Sequence, residues 1–317
     1  MTSPLAIPDV EAKLREYEAK HHAMADIARL IDVADNVVDL FRNGRQVAGD
    51  PLPWRKTHEL VRLRPDEVSI WAGFNSAGKT LILSDVMLNN VSHDGGSWAV
   101  ASLEMPILRL AERAVIQCAG NGKPTEKYIR SMLEWATNKI WVYDQTETVK
   151  SARIFAFCHL AFDYLKVSHV VIDSLVKCGI DSRDPAQVSE FVSTLQQIAK
   201  QYHGHIHLVH HLRKKEDETS IPSKQDLTGA GQIADLADNI FILWRNKRKE
   251  MRLDAGEVVE PNEPDAVLLV EKQQHFEWSG KIRLWFESQA LRYLGNSVER
   301  RKWYGPELKE FSNDVGH

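Results

Sequence analysis

An eight-residue stretch, Gly73-Phe74-Asn75-Ser76-Ala77-Gly78-Lys79-Thr80, narrows the folds open to this chain before anything else is considered. It matches G-x-x-x-x-G-K-[ST] at every fixed position. Val68-Ser69-Ile70-Trp71-Ala72 directly before it reads as a buried strand, and residues 81–90 directly after it read as a helix. In that context the glycines let backbone N–H groups turn inward around phosphate oxygens, at a helix N-terminus whose dipole favours negative charge. Gly73, Asn75, Ser76, Ala77 and Gly78 would form the cradle. Lys79 would reach the β and γ phosphates, and the Thr80 hydroxyl would ligate Mg²⁺. The expectation is a P-loop nucleoside triphosphate site, with ATP or another NTP and Mg²⁺ as its ligands.

The rest of the chain has the rhythm such a loop requires. Short apolar runs at 68–72, 97–103, 139–143, 169–173, 205–210 and 239–244 alternate with helical stretches near 79–91, 106–120, 125–137, 150–164 and 186–202. Alternation of this kind predicts an α/β fold with a mostly parallel central sheet covered on both faces. Strands alone follow at 266–273, 281–286 and 290–294, which predicts an antiparallel C-terminal extension. Residues 8–43 carry apolar positions at helical spacing, and Gly49-Asp50-Pro51-Leu52-Pro53 breaks the pattern. The expected organisation is an N-terminal helical arm over 1–49, an ATPase domain over 50–295 and a polar, loose tail over 296–317. The arm would pack either on its own domain or on a neighbouring subunit.

Composition excludes several other classes. Apolar residues make up 43% and charged residues 26% of the 317, too ordinary a balance for a disordered chain. No run approaches the roughly 18 apolar residues of a membrane helix, and the first residues show no secretory pattern. Cys118, Cys158 and Cys178 are odd in number and widely spaced, which fits a reducing, cytoplasmic setting rather than a structural zinc site. The 40 basic residues against 44 acidic ones give a charge of −4, which by itself does not announce a nucleic-acid partner.

A P-loop needs a metal-side acid, an activator of water and a sensor of the γ-phosphate, all at the C-terminal ends of strands. Asp173 ends the strand His169-Val170-Val171-Ile172-Asp173 and would take the metal side, or else cap a following turn. Glu104 follows another strand and would activate water, or else favour the dipole of the helix that Pro106 starts. Five histidines fall between 203 and 211, and His205, His207 and His211 share a strand face. They read either as a metal site or as a strand whose last residue, His211 with His210 as the alternative, meets the γ-phosphate.

Taken in order, Gly73–Thr80, Ser102-Leu103-Glu104-Met105, Val171-Ile172-Asp173-Ser174-Leu175, His211-Leu212-Arg213-Lys214 and Asp226-Leu227-Thr228-Gly229-Ala230-Gly231 resemble the RecA-like core of DnaB-type replicative helicases. The likeness is closest to the helicase half of phage primase-helicases. The resemblance implies a hexameric ring that hydrolyses nucleoside triphosphates with Mg²⁺ and translocates 5′ to 3′ on single-stranded DNA. It makes Lys79, Glu104 and His211 catalytic, puts Thr80 and Asp173 on the metal, and sets Arg245 against the nucleotide base, with Trp285 or Phe286 as companion or as core. The arm would then tie adjacent subunits, and the protein would belong to a phage or prophage in a bacterial host.

Two departures accompany the likeness. Where the family carries K-x-R, with the arginine reaching a neighbour's site, this chain has Lys272-Gln273-Gln274, so Lys272 or Arg283 would have to substitute. No primase module fits ahead of the core, so primase or a loader would act in trans. The DNA-facing candidates are Lys177, Arg183, Arg213, Lys214, Lys215, Lys224, Gly229 and Gly231, although Glu216, Asp217 and Glu218 also make the 213–224 stretch read as a solvated loop. Four functions remain open on these residues: a translocating helicase, an ATP-dependent DNA-binding scaffold or loader, a RecA-type recombinase and a small-molecule kinase.

Overall fold

The computed structural model describes residues 29–43, 49–213, 219–227, 230–275, 278–299 and 303–306. The chain divides into two compact units, residues 1–48 and 49–317. In the first, a 3-10 turn over Leu30–Val33 leads into helix α1, Ala34–Asn43. Arg29 and Asp32 pair at 2.8 Å ahead of it, and Leu30 and Phe41 are exposed. The remainder of the helix expected over 8–43 lies outside the described residues.

The second unit opens with β1 (Asp50–Pro51) and β2 (Arg62–Leu63), a short antiparallel pair too brief to show a period in the sequence. Then come β3 (Val68–Gly73), α2 (Lys79–His93), β4 (Trp98–Ser102), α3 (Ile107–Ala119), α4 (Glu126–Trp135), β5 (Ile140–Asp144), α5 (Ser151–Asp163) and β6 (His169–Asp173). The order continues with α6 (Pro185–Tyr202), β7 (His205–His211), α7 (Ala230–Leu236), β8 (Asn239–Arg245), α8 (Lys247–Asp254), β9 (Ala266–Gln273), β10 (Gly280–Glu287) and β11 (Arg292–Leu294). Among the described residues nine strands join in one sheet, ordered β11-β10-β9-β8-β3-β7-β6-β4-β5. The pairs from β8 through β5 are parallel, and β9, β10 and β11 extend the sheet antiparallel, as the alternation predicts.

Local chemistry starts and stops the helices. The Thr125 hydroxyl accepts from Tyr128 N to cap α4, and the Asp184 carboxylate accepts from Ala186 N and Gln187 N ahead of Pro185 in α6. Gly120, left-handed at φ 67°, ends α3. The strands are buried on both faces. Ile154 and Phe162 of α5 and Phe191 and Leu195 of α6 cover one face, and Ile82 and Met87 of α2, Leu110 of α3 and Met132 of α4 cover the other.

Register sets up the cleft. Gly73 pairs with both His211 and Leu243, and Ser102 pairs with Asp173, so the ends of β3, β4, β6, β7 and β8 lie level with one another. The opposite end of the sheet holds the remaining histidines. Trp71 Nε1 donates to His207 Nδ1 at 3.1 Å. Because the indole can only donate, His207 carries its proton on Nε2 and passes it towards His169 Nδ1 at 3.1 Å. His169 Nε2 in turn donates to Asp50 Oδ2 at 2.7 Å. Trp98 stacks on both His169 and His207, and His205 Nε2 pairs with the Ser69 hydroxyl at 2.8 Å. The ring nitrogens are thus spent on hydrogen bonds, and among the described residues no group of three His, Cys, Asp or Glu side chains is arranged for a metal.

The C-terminal segment departs from expectation. Where the sequence suggests a loose polar tail from 296, Tyr304 is fully buried, with the Arg292 guanidinium 3.5 Å from its ring centroid. Arg292 also pairs with the buried Asp85 of α2 at 3.1 Å. One aromatic beside a basic run leaves no compositional trace of that anchorage.

Candidate active site

The loop between β3 and α2 holds its shape through glycine. A side chain at Gly73 would place Cβ 2.8 Å from the Leu243 carbonyl oxygen, and Gly78 is left-handed at φ 94°. Lys79, at the first turn of α2, is 7% exposed. Its ammonium donates to the carbonyls of Gly73 and Phe74 at 3.1 Å each, and burial lowers its pKa. The next residue, Thr80, donates from its hydroxyl to Asp173 Oδ2 at 2.6 Å. Asp173 itself is buried at the end of β6, and that burial raises its pKa against the pull of Thr80. A hydroxyl and a carboxylate this close, facing a phosphate cradle, form the hard oxygen set that suits Mg²⁺, which is normally held by one or two protein oxygens plus substrate phosphates.

The other two expected groups arrive at the same place. His211 Nδ1 lies 3.2 Å from Lys79 Nζ, and its Nε2 lies 3.2 Å from Glu104 Oε1. Glu104 also accepts from the Ser174 hydroxyl. These bonds, His211 first, hold the Glu104 carboxyl down at about 2 although burial opposes them. His210, the alternative to His211, is buried in the sheet and does not line the cleft. The resulting cleft, about 1150 Å³, is lined by Asn75, Ser76, Lys79, Glu104, Asp173 and His211 among others. It also contains Arg113 of α3, a half-buried cation for which no carboxylate or hydrogen-bond partner occurs among the described residues.

Arg245 also sits at the loop. It donates to Glu250 of α8, and its Nη1 lies 3.5 Å from the Ser76 carbonyl oxygen. Of its two aromatic candidates, Phe286 packs on Tyr293 at 5.2 Å, and the Tyr293 hydroxyl is 3.0 Å from where a Cβ on Gly78 would stand. Trp285 is turned elsewhere, donating to the Pro261 carbonyl and covered by Lys56. Sequence reasoning missed Arg113, Ser174, Glu250 and Tyr293. Only Ser174, next to Asp173 at a strand end, had a positional signal.

The remaining candidates are dispersed. Lys177 is half-buried in a 3-10 turn after β6, and Arg183 is exposed ahead of α6. Arg213 and Lys224 are brought near each other by the Leu212–Leu227 bridge and the bond from Arg213 N to the Asp226 carbonyl at 2.8 Å. Gly231 lies in α7, whereas Lys214, Lys215 and Gly229 lie outside the described residues. Lys272 is committed locally, donating to the Ala234 and Asp235 carbonyls at 2.8 and 3.0 Å. Gln274 is exposed just beyond β9, and Arg283 is exposed on β10.

Comparison with known proteins matches this arrangement. No curated protein matches the sequence. Among solved structures, the ATPase domain of a phage helicase superposes with a TM-score of 0.71 at 16% identity, covering 85% of this chain and 99% of that one. A DnaB-like replicative helicase, solved in a study of its interactions with primase, superposes with a TM-score of 0.66 at 18% identity, covering 91% of this chain and 71% of that one. Residues 58–295 match the DnaB-like helicase C terminal domain. With the loop, the two acids and the strand-end histidine in one cleft of a RecA-like sheet, the chain belongs to the DnaB-like helicase C-terminal domain family.

Proposed function

We propose that this protein is the motor of a replicative DNA helicase, a homo-oligomeric and most simply hexameric ring that moves along single-stranded DNA and couples Mg²⁺-dependent NTP hydrolysis to duplex unwinding. The observation that supports it best is the convergence of Lys79, the Thr80–Asp173 pair, Glu104 and His211 in a single cleft. Lys79 would leave the Gly73 and Phe74 carbonyls for the β and γ phosphates. Thr80 and Asp173 would hold Mg²⁺, which when bound neutralises charge on the phosphates. Glu104 would take a proton from water as the water oxygen bonds to the γ-phosphorus. The bond to the bridging oxygen then breaks, and its electron pair leaves with the nucleoside diphosphate. Arg245 and Phe286 would receive the base, and His211 would report the γ-phosphate.

Lys177, Arg183, Arg213, Lys214, Lys215 and Lys224, with the turn at Gly229 and Gly231, would face DNA. The arm would join neighbouring subunits, and primase or a loader would act in trans. Lys79→Ala tests the whole reading. It should abolish DNA-stimulated NTP hydrolysis and unwinding of a forked duplex, and retention of either would sink the proposal. A ring that binds DNA as a scaffold without unwinding has one observation in its favour, the exposed Gln274 where an arginine finger is expected. Fork unwinding by the wild-type protein separates the two.

A further inference from the structure

Both donors that reach Glu104 fall on the same oxygen. The Ser174 hydroxyl donates to Oε1, and His211 Nε2 stands 3.2 Å from that atom. The state of the imidazole follows from its other neighbour. Lys79 Nζ, which can only donate, lies 3.2 Å from Nδ1, so Nδ1 accepts and the ring proton sits on Nε2, aimed at Glu104. Among the described residues no donor reaches Oε2.

The two turns involved are also tied through the backbone. Leu103 N donates to the Asp173 carbonyl at 2.8 Å, which holds the segment carrying Glu104 against the segment carrying Ser174. Ser174 is fully buried, and its own carbonyl accepts from Lys177 N at 3.0 Å. Its hydroxyl therefore approaches Glu104 from a fixed base.

We propose that Ser174 is a positioning residue for the catalytic base, pinning Glu104 by Oε1 so that Oε2 is the oxygen that receives the proton of water. This rests on the reading of Glu104 as base. The need for such a residue comes from His211. Its single Nε2 proton cannot serve Glu104 and a γ-phosphate at once, so a histidine that turns to the phosphate releases the carboxylate. Ser174 is the contact that remains when the water attacks. In that step the water oxygen bonds to the γ-phosphorus, and the bond to the bridging oxygen breaks with its electron pair on the nucleoside diphosphate. The water proton passes to Oε2.

The test compares Ser174→Ala and Ser174→Thr with wild type in full-length protein, measuring DNA-stimulated steady-state hydrolysis, affinity for a fluorescent nucleotide with Mg²⁺, and thermal midpoint. Ser174→Ala should lower kcat about tenfold or more, because aim rather than binding is lost, with KM and nucleotide affinity within about twofold. Ser174→Thr keeps the hydroxyl and should recover most of kcat. The proposal is overturned if Ser174→Ala matches wild type, if its nucleotide affinity falls in step with kcat, or if a normally stable Ser174→Thr is as slow as alanine. Should the threonine variant fail to fold, the kcat and affinity of Ser174→Ala decide alone. Glu104→Gln separates this from the parent reading: wild-type hydrolysis by that variant removes Glu104 as base, whatever Ser174 does.

Discussion

At the scale of single residues, the cleft is a balance of charges arranged before any ligand arrives. Lys79, part of its pull spent on two backbone carbonyls, sits across from Asp173 and Glu104, and His211 bridges between the lysine and the glutamate. Arg113 is the one cation of the cleft with nothing to neutralise it among the described residues. Such a group is poised for an anionic ligand, where a charge-assisted bond is stronger than a neutral one. Arg113→Ala should lower kcat/KM for NTP hydrolysis by about tenfold or more with little change in thermal midpoint, and steady-state kinetics beside a melting curve would check it. The glycine loop announced itself because its chemistry is local. Arg113 did not, because nothing in the sequence separates it from Arg109, which pairs with Glu112 at 2.8 Å on the outside of the same helix. Only the packing of α3 decides which arginine faces the phosphates.

At the scale of elements, the long strands and helices were readable because apolar spacing records burial directly. The ones that were not read are short or polar. Helix α8, Lys247–Asp254, carries no apolar stripe and is started by the Asn246 side chain, which accepts from Lys249 N. Helix α7 is seven residues long, and its C-terminal carbonyls are satisfied from another element, by the Lys272 ammonium of β9. That bond gives Lys272 a local task in place of the trans-acting one its sequence position suggested. Lys272→Met should destabilise the protein by about 1–2 kcal/mol, since it strips two charged hydrogen bonds from a helix end. Urea unfolding would measure the loss. A much larger fall in hydrolysis than in stability would instead reveal a catalytic task.

At the scale of the molecule, the sheet has a chemically distinct end on each side. Charge that will meet a nucleotide gathers at one end, and neutral rings fill the other. Burial pushes His205 down to about 3 and His207 well below its ordinary range. An unfolded histidine titrates near about 6.5, so these two bind protons more readily when the chain is unfolded. Their contribution to stability is therefore complete above about pH 6.5 and is lost as pH falls towards 3, by about 1.4 kcal/mol per pH unit for each ring. Urea midpoints should fall between about pH 7.5 and 5.5, and His205→Gln should flatten that slope. An unchanged slope would refute the assignment. The histidine run was visible in the sequence, but its partners Trp71, Trp98 and Asp50 come from three other strands, so its meaning was not.

The hydrogen bonds from Trp71 through His207 and His169 to Asp50 all run in one direction, and each depends on the one before it. Strands β3, β7 and β6 are thereby bolted together at the end away from the cleft. A strand that slid by one residue would reverse a donor and break the whole run. The strands bearing Gly73, Asp173 and His211 thus behave as a stiff anvil. Force generated at their free ends is delivered to the loops that follow them and is not dissipated as shear within the sheet.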